Sequence, residues 1–281
     1  MTAVAPAVVV PMAASTSAGF DWGDLLALLP WTLATVVVVL GVTLLVALRQ
    51  GRHTVVDVAW GLGFVAVALT AFLVGEGDAG RSWLVLLMTA AWGLRLGVHI
   101  GRRSRGKGED PRYEALLAKA PGSRTAFAVR RIYLTQGAVM WFVSLPVQVA
   151  MVQPDPLGWL AWLGVAVWAV GLFFEAVGDW QLERFKADPG NKGKVLDTGL
   201  WHYTRHPNYF GDACVWWGLW LVAASAWPGV LFVLSPAFMT WNLAKGTGAA
   251  LLEKDIGDRR PEYAEYVRRT SGFVPLPPKR A

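Results

Sequence analysis

Residues Leu25 to Leu48 read LLALLPWTLATVVVVLGVTLLVAL, 24 residues without a charge. About 20 mostly apolar residues suffice for a helix to cross the hydrocarbon core of a bilayer, so this stretch is long enough to span. Six further apolar stretches follow it: Val55–Val74 with Asp57 inside, Trp83–Ile100 with Arg95, Ile132–Val152, Leu157–Gly178 with Glu175, Tyr209–Trp227, and Pro228–Ala244. Trp227-Pro228-Gly229 reads as a tight turn between the last two. The composition agrees. Of 281 residues, 54% are hydrophobic and 16% charged, against roughly 25% charged in soluble domains. This excludes a disordered chain, a coiled coil and an ordinary water-soluble enzyme. Sixteen Trp and 30 Gly also suit a membrane bundle. The single cysteine, Cys214, permits no internal disulfide; its apolar surroundings read as those of a small buried hydrophobe.

The basic residues set the orientation. The net charge is only +6, but 24 of the 26 Lys and Arg fall in the alternate segments 49–54, 101–131, 179–208 and 245–281. Arg81 alone lies in the other set of connections, and Arg95 lies within a span. Cytoplasmic loops carry the Lys/Arg excess. The pattern therefore predicts an all-α integral membrane bundle of seven transmembrane helices, N-terminus outside and C-terminus cytoplasmic. The N-terminus has no basic n-region and does not read as a signal peptide. The expected organisation is a flexible tail over 1–24, a seven-helix domain over 25–248, and a cytoplasmic segment over 249–281. The outer loops are short, which leaves the membrane and its cytoplasmic face for chemistry.

Charges inside a bilayer are costly, roughly 2.5–3.5 kcal/mol each at its centre by the lenient insertion scale. Asp57, Arg95, Glu175 and Asp179 all fall at the cytoplasmic ends of their spans. Singly, each could snorkel to headgroup water; together they predict a polar cavity open to the cytoplasm. In that cavity Arg95 pairs with a carboxylate or binds an anionic ligand.

The densest chemistry lies between the fifth and sixth spans. Gly178-Asp179 through Lys186 continues the helix, and Ala187-Asp188-Pro189-Gly190-Asn191 breaks it. Lys192, Lys194 and Asp197-Thr198-Gly199-Leu200-Trp201 follow, and Tyr203-Thr204-Arg205-His206-Pro207-Asn208-Tyr209-Phe210-Gly211-Asp212 opens the next helix. Proline suits a first helical turn. The free N–H groups of that turn face anions, and Arg205, His206, Lys192 and Lys194 add positive charge. Tyr203, Asn208 and Tyr209 can donate to phosphate, ribose or amide, and Asp212, one turn in, can accept from a ribose hydroxyl or carboxamide. The competing reading is a basic anchor on lipid phosphates, for which Asn, Tyr and Asp are not needed. After Leu251-Leu252-Glu253-Lys254-Asp255, residues 259–269 predict a short helix starting at Pro261, either a lid over a cofactor or an interfacial amphipathic tail.

These motifs resemble the steroid 5-alpha-reductase-like membrane family, in particular its bacterial DUF1295 branch. The likeness covers most of residues 50–278. It is carried by Gly178-Asp179 to Lys186, Thr204 to Asp212, Leu251-Leu252-Glu253-Lys254, Pro261-Glu262-Tyr263 and the Pro-rich end. Val56-Asp57-Val58-Ala59-Trp60-Gly61 and Trp92-Gly93-Leu94-Arg95-Leu96 support it. Arg-His-Pro-Asn-Tyr is also similar to a motif of sterol C14 and delta-7 reductases, and isoprenylcysteine and phospholipid methyltransferases share a looser form.

The resemblance implies NADPH entering from the cytoplasm, a lipid-like enone entering from the bilayer, and hydride transfer to the beta carbon. It places Asp57 beside the substrate carbonyl as the catalytic acid. It assigns the cofactor to Arg95, Asp179, Arg205, His206, Asn208, Tyr209, Asp212 and Glu253, with Asp179 and Asp212 at the nicotinamide-ribose end and Arg95, Arg205 and His206 at phosphates; Lys194 and Tyr203, from the loop's own charge and donors, complete the expected cofactor set. It also implies a bacterial inner (cytoplasmic) membrane. Where mammalian steroid reductases pair the acid with a tyrosine on the third helix, this chain has Trp92, so protonated Asp57 or another donor must polarise the carbonyl. Asn242, Lys245 and Gly246-Thr247-Gly248 replace a basic-aromatic stretch, which leaves steroid, fatty and isoprenoid enones open.

Two other classes compete: a SAM-dependent lipid methyltransferase on a related cradle, and a non-enzymatic lipid-binding subunit. Glu253-Lys254, in place of the adjacent acids common in the methyltransferases, and the large basic inventory favour a phosphorylated dinucleotide. His53, His99, His202 and His206 lack metal-ligand spacing. No Gly-x-Gly-x-x-Gly follows a strand. The basic loops are read as membrane topology, with no nucleic-acid partner.

Overall fold

The computed structural model describes residues 19–246, 248–249, 253 and 262–279. They are helical throughout, with one isolated bridge between Thr204 and Ser271 in place of any sheet. The long helices are α1 (Trp22–Gln50), α2 (Val55–Val74) and α3 (Ala79–Ser104), then after the short α4 (Pro111–Leu117) a composite rod. That rod runs as α5 (Arg124–Ala128), a π-helical turn (Val129–Tyr133), α6 (Leu134–Val143) and α7 (Leu145–Ala150). Then come α8 (Trp159–Ala187), α9 (Pro207–Ala224), a 3₁₀ turn (Gly229–Val233) running into α10 (Leu234–Ala244), and α11 (Tyr263–Arg269).

Five of these are long and apolar enough to cross a membrane: Trp22–Gln50, Val55–Val74, Ala79–Ser104, Arg124–Ala150 and Trp159–Ala187. α9 and the Gly229–Ala244 stretch, which correspond to the last two expected spans, are shorter. Their large apolar side chains face two ways. Phe64, Trp92 and Trp216 are buried and pack edge-on or tilted against one another, with ring centroids 4.5–5.5 Å apart. Leu26, Val37, Leu73, Leu87, Trp162 and Phe173 point outward, fully on show. An exposed apolar surface of this extent is what a bilayer covers.

Local sequence explains where the helices begin. Asp21, Asp78 and Asp110 each accept a hydrogen bond from a backbone N–H of the first turn of α1, α3 and α4, filling orphan donors there. Pro111 and Pro207 sit in first turns, where no N–H is needed. α1 already opens at Trp22; the rest of the expected tail, residues 1–18, and the expected helix start at Pro261 lie outside the described residues.

α8 and α9 pack at small residues. A Cβ on Gly171 would stand 2.6 Å from the Gly211 carbonyl oxygen, and one on Gly164 the same distance from that of Gly218. Such stripes let helix backbones meet in a membrane. This close approach sets the C-terminal part of α8, with Glu175 and Asp179, against the first turns of α9, with Asn208 and Asp212.

Arg81, in the first turn of α3, is fully buried. Its guanidinium donates to the carbonyl oxygens of Val222 (2.6 Å), Asp155 (3.1 Å) and Pro156 (3.1 Å) and to Ser225 Oγ (2.9 Å). It therefore ties the start of α3 to the loop before α8 and to the end of α9, at the opposite end of the bundle from the cavity.

Candidate active site

One cavity of about 600 Å³ opens at one end of the bundle, among the start of α2, the C-terminal parts of α3 and α8 and the first turns of α9. Its size falls within the range of ligand sites, roughly 300–1,000 Å³. Its walls are apolar, from Trp60, Leu96, Leu116, Ile132, Val139 and Met239. Its polar groups gather at two places. Asp57 and Tyr113 mark one; Glu175, Asp179, Asn208, Tyr209 and Asp212 mark the other.

At the first place, the Tyr113 hydroxyl donates to Asp57 Oδ1 at 2.5 Å, and Gln136 Nε2 donates to the same phenol oxygen at 3.3 Å. Arg112 reaches Asp57 Oδ2 at 3.2 Å while also gripping Asp110. Burial first, then the charge of Asp57 and the hydrogen bond to it, push the Tyr113 phenol above its ordinary range. The phenol therefore keeps its proton and acts as a donor. Tyr113 is held in place from below. Glu109 accepts from the backbone N–H groups of His53 (2.5 Å), Thr54 (2.8 Å) and Asp110 (3.1 Å) and from the Thr54 hydroxyl. Burial alone would raise the Glu109 carboxyl, but these donors outweigh it and hold it below the usual range. Through Glu109 the α1–α2 corner fixes the start of α4.

At the second place, Arg95 on α3 bridges two carboxylates of α8. Its Nη1 lies 2.9 Å from Asp179 Oδ2, and its Nη2 contacts Glu175. Asn208 Nδ2 donates to Asp179 Oδ1 at 3.1 Å. His99, one turn along α3, lies 3.5 Å from Asp179 and 3.3 Å from Glu183. Asp212 and Glu175 are buried; the indole N–H groups of Trp216 and Trp92 lie near them, but no donor among the described residues makes a well-formed hydrogen bond to Asp212 Oδ1 or Glu175 Oε2. Two buried acceptors with no well-aligned donor mark a place where a ligand's hydroxyl or amide hydrogens would be stabilised.

A third cluster lies beside the cavity. Glu253 accepts from Arg205 Nε (2.8 Å) and Nη2 (3.2 Å) and faces His206 Nε2 at 2.8 Å. Burial pushes the Glu253 carboxyl up, but these partners prevail and hold it at about 2. Arg205 Nη1 also donates to the carbonyls of Thr270 (2.9 Å) and Val267 (3.3 Å), neutralising the C-terminal end of α11. Tyr266 donates to the Trp201 carbonyl at 2.5 Å, and Arg269 pairs with Asp197. The C-terminal segment is thus clipped onto the 197–206 loop. The His206 ring stacks on Tyr209 at 5.6 Å, which joins this clip to the cavity wall.

Of the residues expected from sequence, the structure brings Asp57, Asp179, Asn208, Tyr209 and Asp212 into one cavity and sets Arg95 against it. Arg95, expected at a phosphate, is occupied by two carboxylates. Arg205, His206 and Glu253 form the adjoining clip. Lys194 and Tyr203 are exposed and do not line the cavity. Sequence reasoning passed over Tyr113, Arg112, Gln136, His99, Arg103 and Arg131, all cavity-lining. The capping pattern Asp110-Pro111 was a signal for α4, hidden in a loop read only for its positive charge.

The family model described as "Protein of unknown function (DUF1295)" matches residues 43–270. The chain belongs to the DUF1295 family. Within it, the likeness to steroid 5-alpha-reductases stands: Steroid 5-alpha-reductase DET2 of Arabidopsis thaliana is 34% identical over 80 residues, 27% of this chain and 30% of the relative. "Probable O-methyltransferase ustE" of Ustilaginoidea virens is 37% identical over 91 residues, 32% of this chain and 31% of the relative. The chain thus spans about a third of the length of each of these relatives. No solved structure matches significantly.

Proposed function

We propose that this DUF1295 protein is a membrane-embedded, NADPH-dependent reductase of a carbon–carbon double bond in a lipid-like enone. The observation that carries the proposal is the cavity with two unlike polar ends. One is a hydroxyl–carboxyl donor pair, Tyr113 and Asp57. The other is a cradle of buried acids in which Asp212 Oδ1 and Glu175 Oε2 lack a well-aligned donor. The cradle fits the cofactor that the family resemblance implies. Asp212 and Glu175 would accept from ribose hydroxyl or carboxamide hydrogens, Asn208 and Asp179 would fix the same end, and Tyr209 would wall it. NADPH, when bound, supplies a hydride. Arg95 keeps Asp179 and Glu175 in register and offsets their charge. Arg205, His206 and Glu253 hold the loop and lid, with Lys194 and Tyr203 on the phosphate-facing side.

At the other end, Asp57 and Tyr113 act on the substrate. With a proton on Asp57, the pair carries one more proton than its own hydrogen bond uses. That proton is offered to the carbonyl oxygen, which makes the beta carbon a better hydride acceptor. Gln136 steadies the phenol oxygen. Tyr113 thereby takes the part for which Trp92 has no acidic hydrogen. The apolar walls hold the lipid body and exclude water.

The same reading retains seven spans with the N-terminus outside, the C-terminus cytoplasmic and residues 249–281 as a lid, in a bacterial inner membrane. A second reading, SAM-dependent methyl transfer, is favoured by one observation, the 91-residue match to the O-methyltransferase. Isotope transfer separates the two. Protein in liposomes is given deuteride-labelled NADPH or methyl-deuterated SAM with 4-en-3-one steroids and 2-enoyl lipids. Gain of one deuterium from NADPH in a saturated product is the expected result; a transferred deuterated methyl group from SAM overturns it.

A further inference from the structure

Not every arginine at the cavity is held by the cavity's acids. Arg95 is held by Glu175 and Asp179, and Arg112 by Asp57 and Asp110. Arg103, at the end of α3, and Arg131 also line the cavity, yet neither makes a hydrogen bond or contact ion pair with any described residue. Both are exposed to solvent, so they stand at the opening. Arg131 lies in the π-helical turn Val129–Tyr133, a distortion frequently found at functional sites. The neighbours on that rod, Ile132, Thr135, Gln136 and Val139, face the same space. Gln136 bonds Tyr113, which puts Arg131 on the Asp57–Tyr113 side of the cavity. Arg103 acts electrostatically on Asp57 and Asp110, and on Tyr209 across the opening, so it stands at the mouth within reach of that side. The Asp179–Asn208–Asp212 cradle is built by α8 and α9.

We infer that the lipid taken at the Asp57–Tyr113 end is an anionic amphiphile, its carboxylate or phosphate held at the opening by Arg131 and Arg103 and its apolar body lying inward against Ile132 and Val139. Guanidinium groups suit such oxyanions by charge and by their paired donors. A neutral steroid would leave both arginines with water alone. The inference rests on the proposed lipid-binding role of this end, but not on the hydride chemistry, so its test needs no turnover.

The probe is the fluorescent fatty acid cis-parinaric acid, compared with its methyl ester, against the detergent-purified full chain. Wild-type protein is expected to bind the acid about tenfold or more tighter than the ester, the scale of a hydrogen bond to a charged group. Arg131→Gln and Arg103→Gln should bring the two ligands within a few-fold of each other, while Arg131→Lys keeps part of the preference. Stabilisation by NADPH should be unchanged in all three variants. Equal binding of acid and ester by wild type overturns the inference. So does loss of the NADPH response with the acid preference intact, which would assign these arginines to the cofactor. Failure of NADPH to bind wild type, with the acid preference present, would count against the reductase reading alone.

Discussion

Arg95 offers the most demanding test of the site's architecture. Its guanidinium is the contact ion-pair partner shared by Glu175 and Asp179, carboxylates that are 3% and 7% exposed. Replacing it with methionine retains the bulk of the stem and removes the charge. Two carboxylates are then left with Asn208 and the more distant His99 as their polar neighbours. Breaking a buried pair by removing one partner costs about 3–5 kcal/mol. Arg95→Met should therefore lower stability by that order in detergent, read as a drop in the thermal unfolding midpoint. The cost comes from uncompensated charge, so it should be partly reversed by also neutralising an acid. Arg95→Met combined with Glu175→Gln should recover a coupling energy of about 1–3 kcal/mol, measured as a double-mutant cycle. If Arg95→Met unfolds at the wild-type midpoint, or if the second substitution adds to the loss, then Arg95 is not the brace of this end. A normal midpoint with NADPH binding selectively weakened relative to NADH would return Arg95 to the phosphate role that its sequence position suggested.

Asp212→Ala should leave the bundle folded and weaken NADPH binding at least tenfold, since a ligand hydrogen loses a charged acceptor; unchanged affinity in a titration removes Asp212 from the cradle. Asp57→Asn should preserve NADPH binding and lower turnover by about 10²-fold or more, and Tyr113→Phe should do the same to a smaller degree; wild-type turnover in either variant counts against the donor pair. The Glu253 clip should be sensitive to acid. Its carboxyl sits at about 2 when folded against an ordinary 4.5. A depressed value contributes stability that is complete above about 4.5 and is lost as pH falls toward about 2. Hydrogen exchange in 262–279 should accelerate over that window, and Glu253→Gln should abolish the acid-induced step.

Much of this was legible because bilayers impose simple rules. The apolar stretch Leu25–Leu48 became α1, and the charges at Asp57, Arg95, Glu175 and Asp179 did converge at one end of the bundle, as their shared depth required. Pro207 opens α9, as proline at a first turn should. The partners were less legible. Nothing local in Arg95 tells whether its guanidinium will meet a phosphate or Glu175 and Asp179, because that depends on how closely α3 approaches α8. Tyr113 was missed because α4 is a short helix in a loop, where charge patterning dominates the reading, and its approach to Asp57 is fixed by Glu109 reaching back to the α1–α2 corner. Arg131 was counted as topology; only the cavity's shape separates it from the other arginines of the 101–131 segment.

The most direct measurement is a thermal-shift titration of the detergent-purified chain with NADPH, NADH and S-adenosylmethionine. A ligand that binds only the folded state raises its unfolding midpoint by mass action. A concentration-dependent rise with NADPH, absent with S-adenosylmethionine and lost in Asp212→Ala, is the expected result. A rise with S-adenosylmethionine and none with NADPH would contradict the reductase assignment and make the cavity that of a methyltransferase.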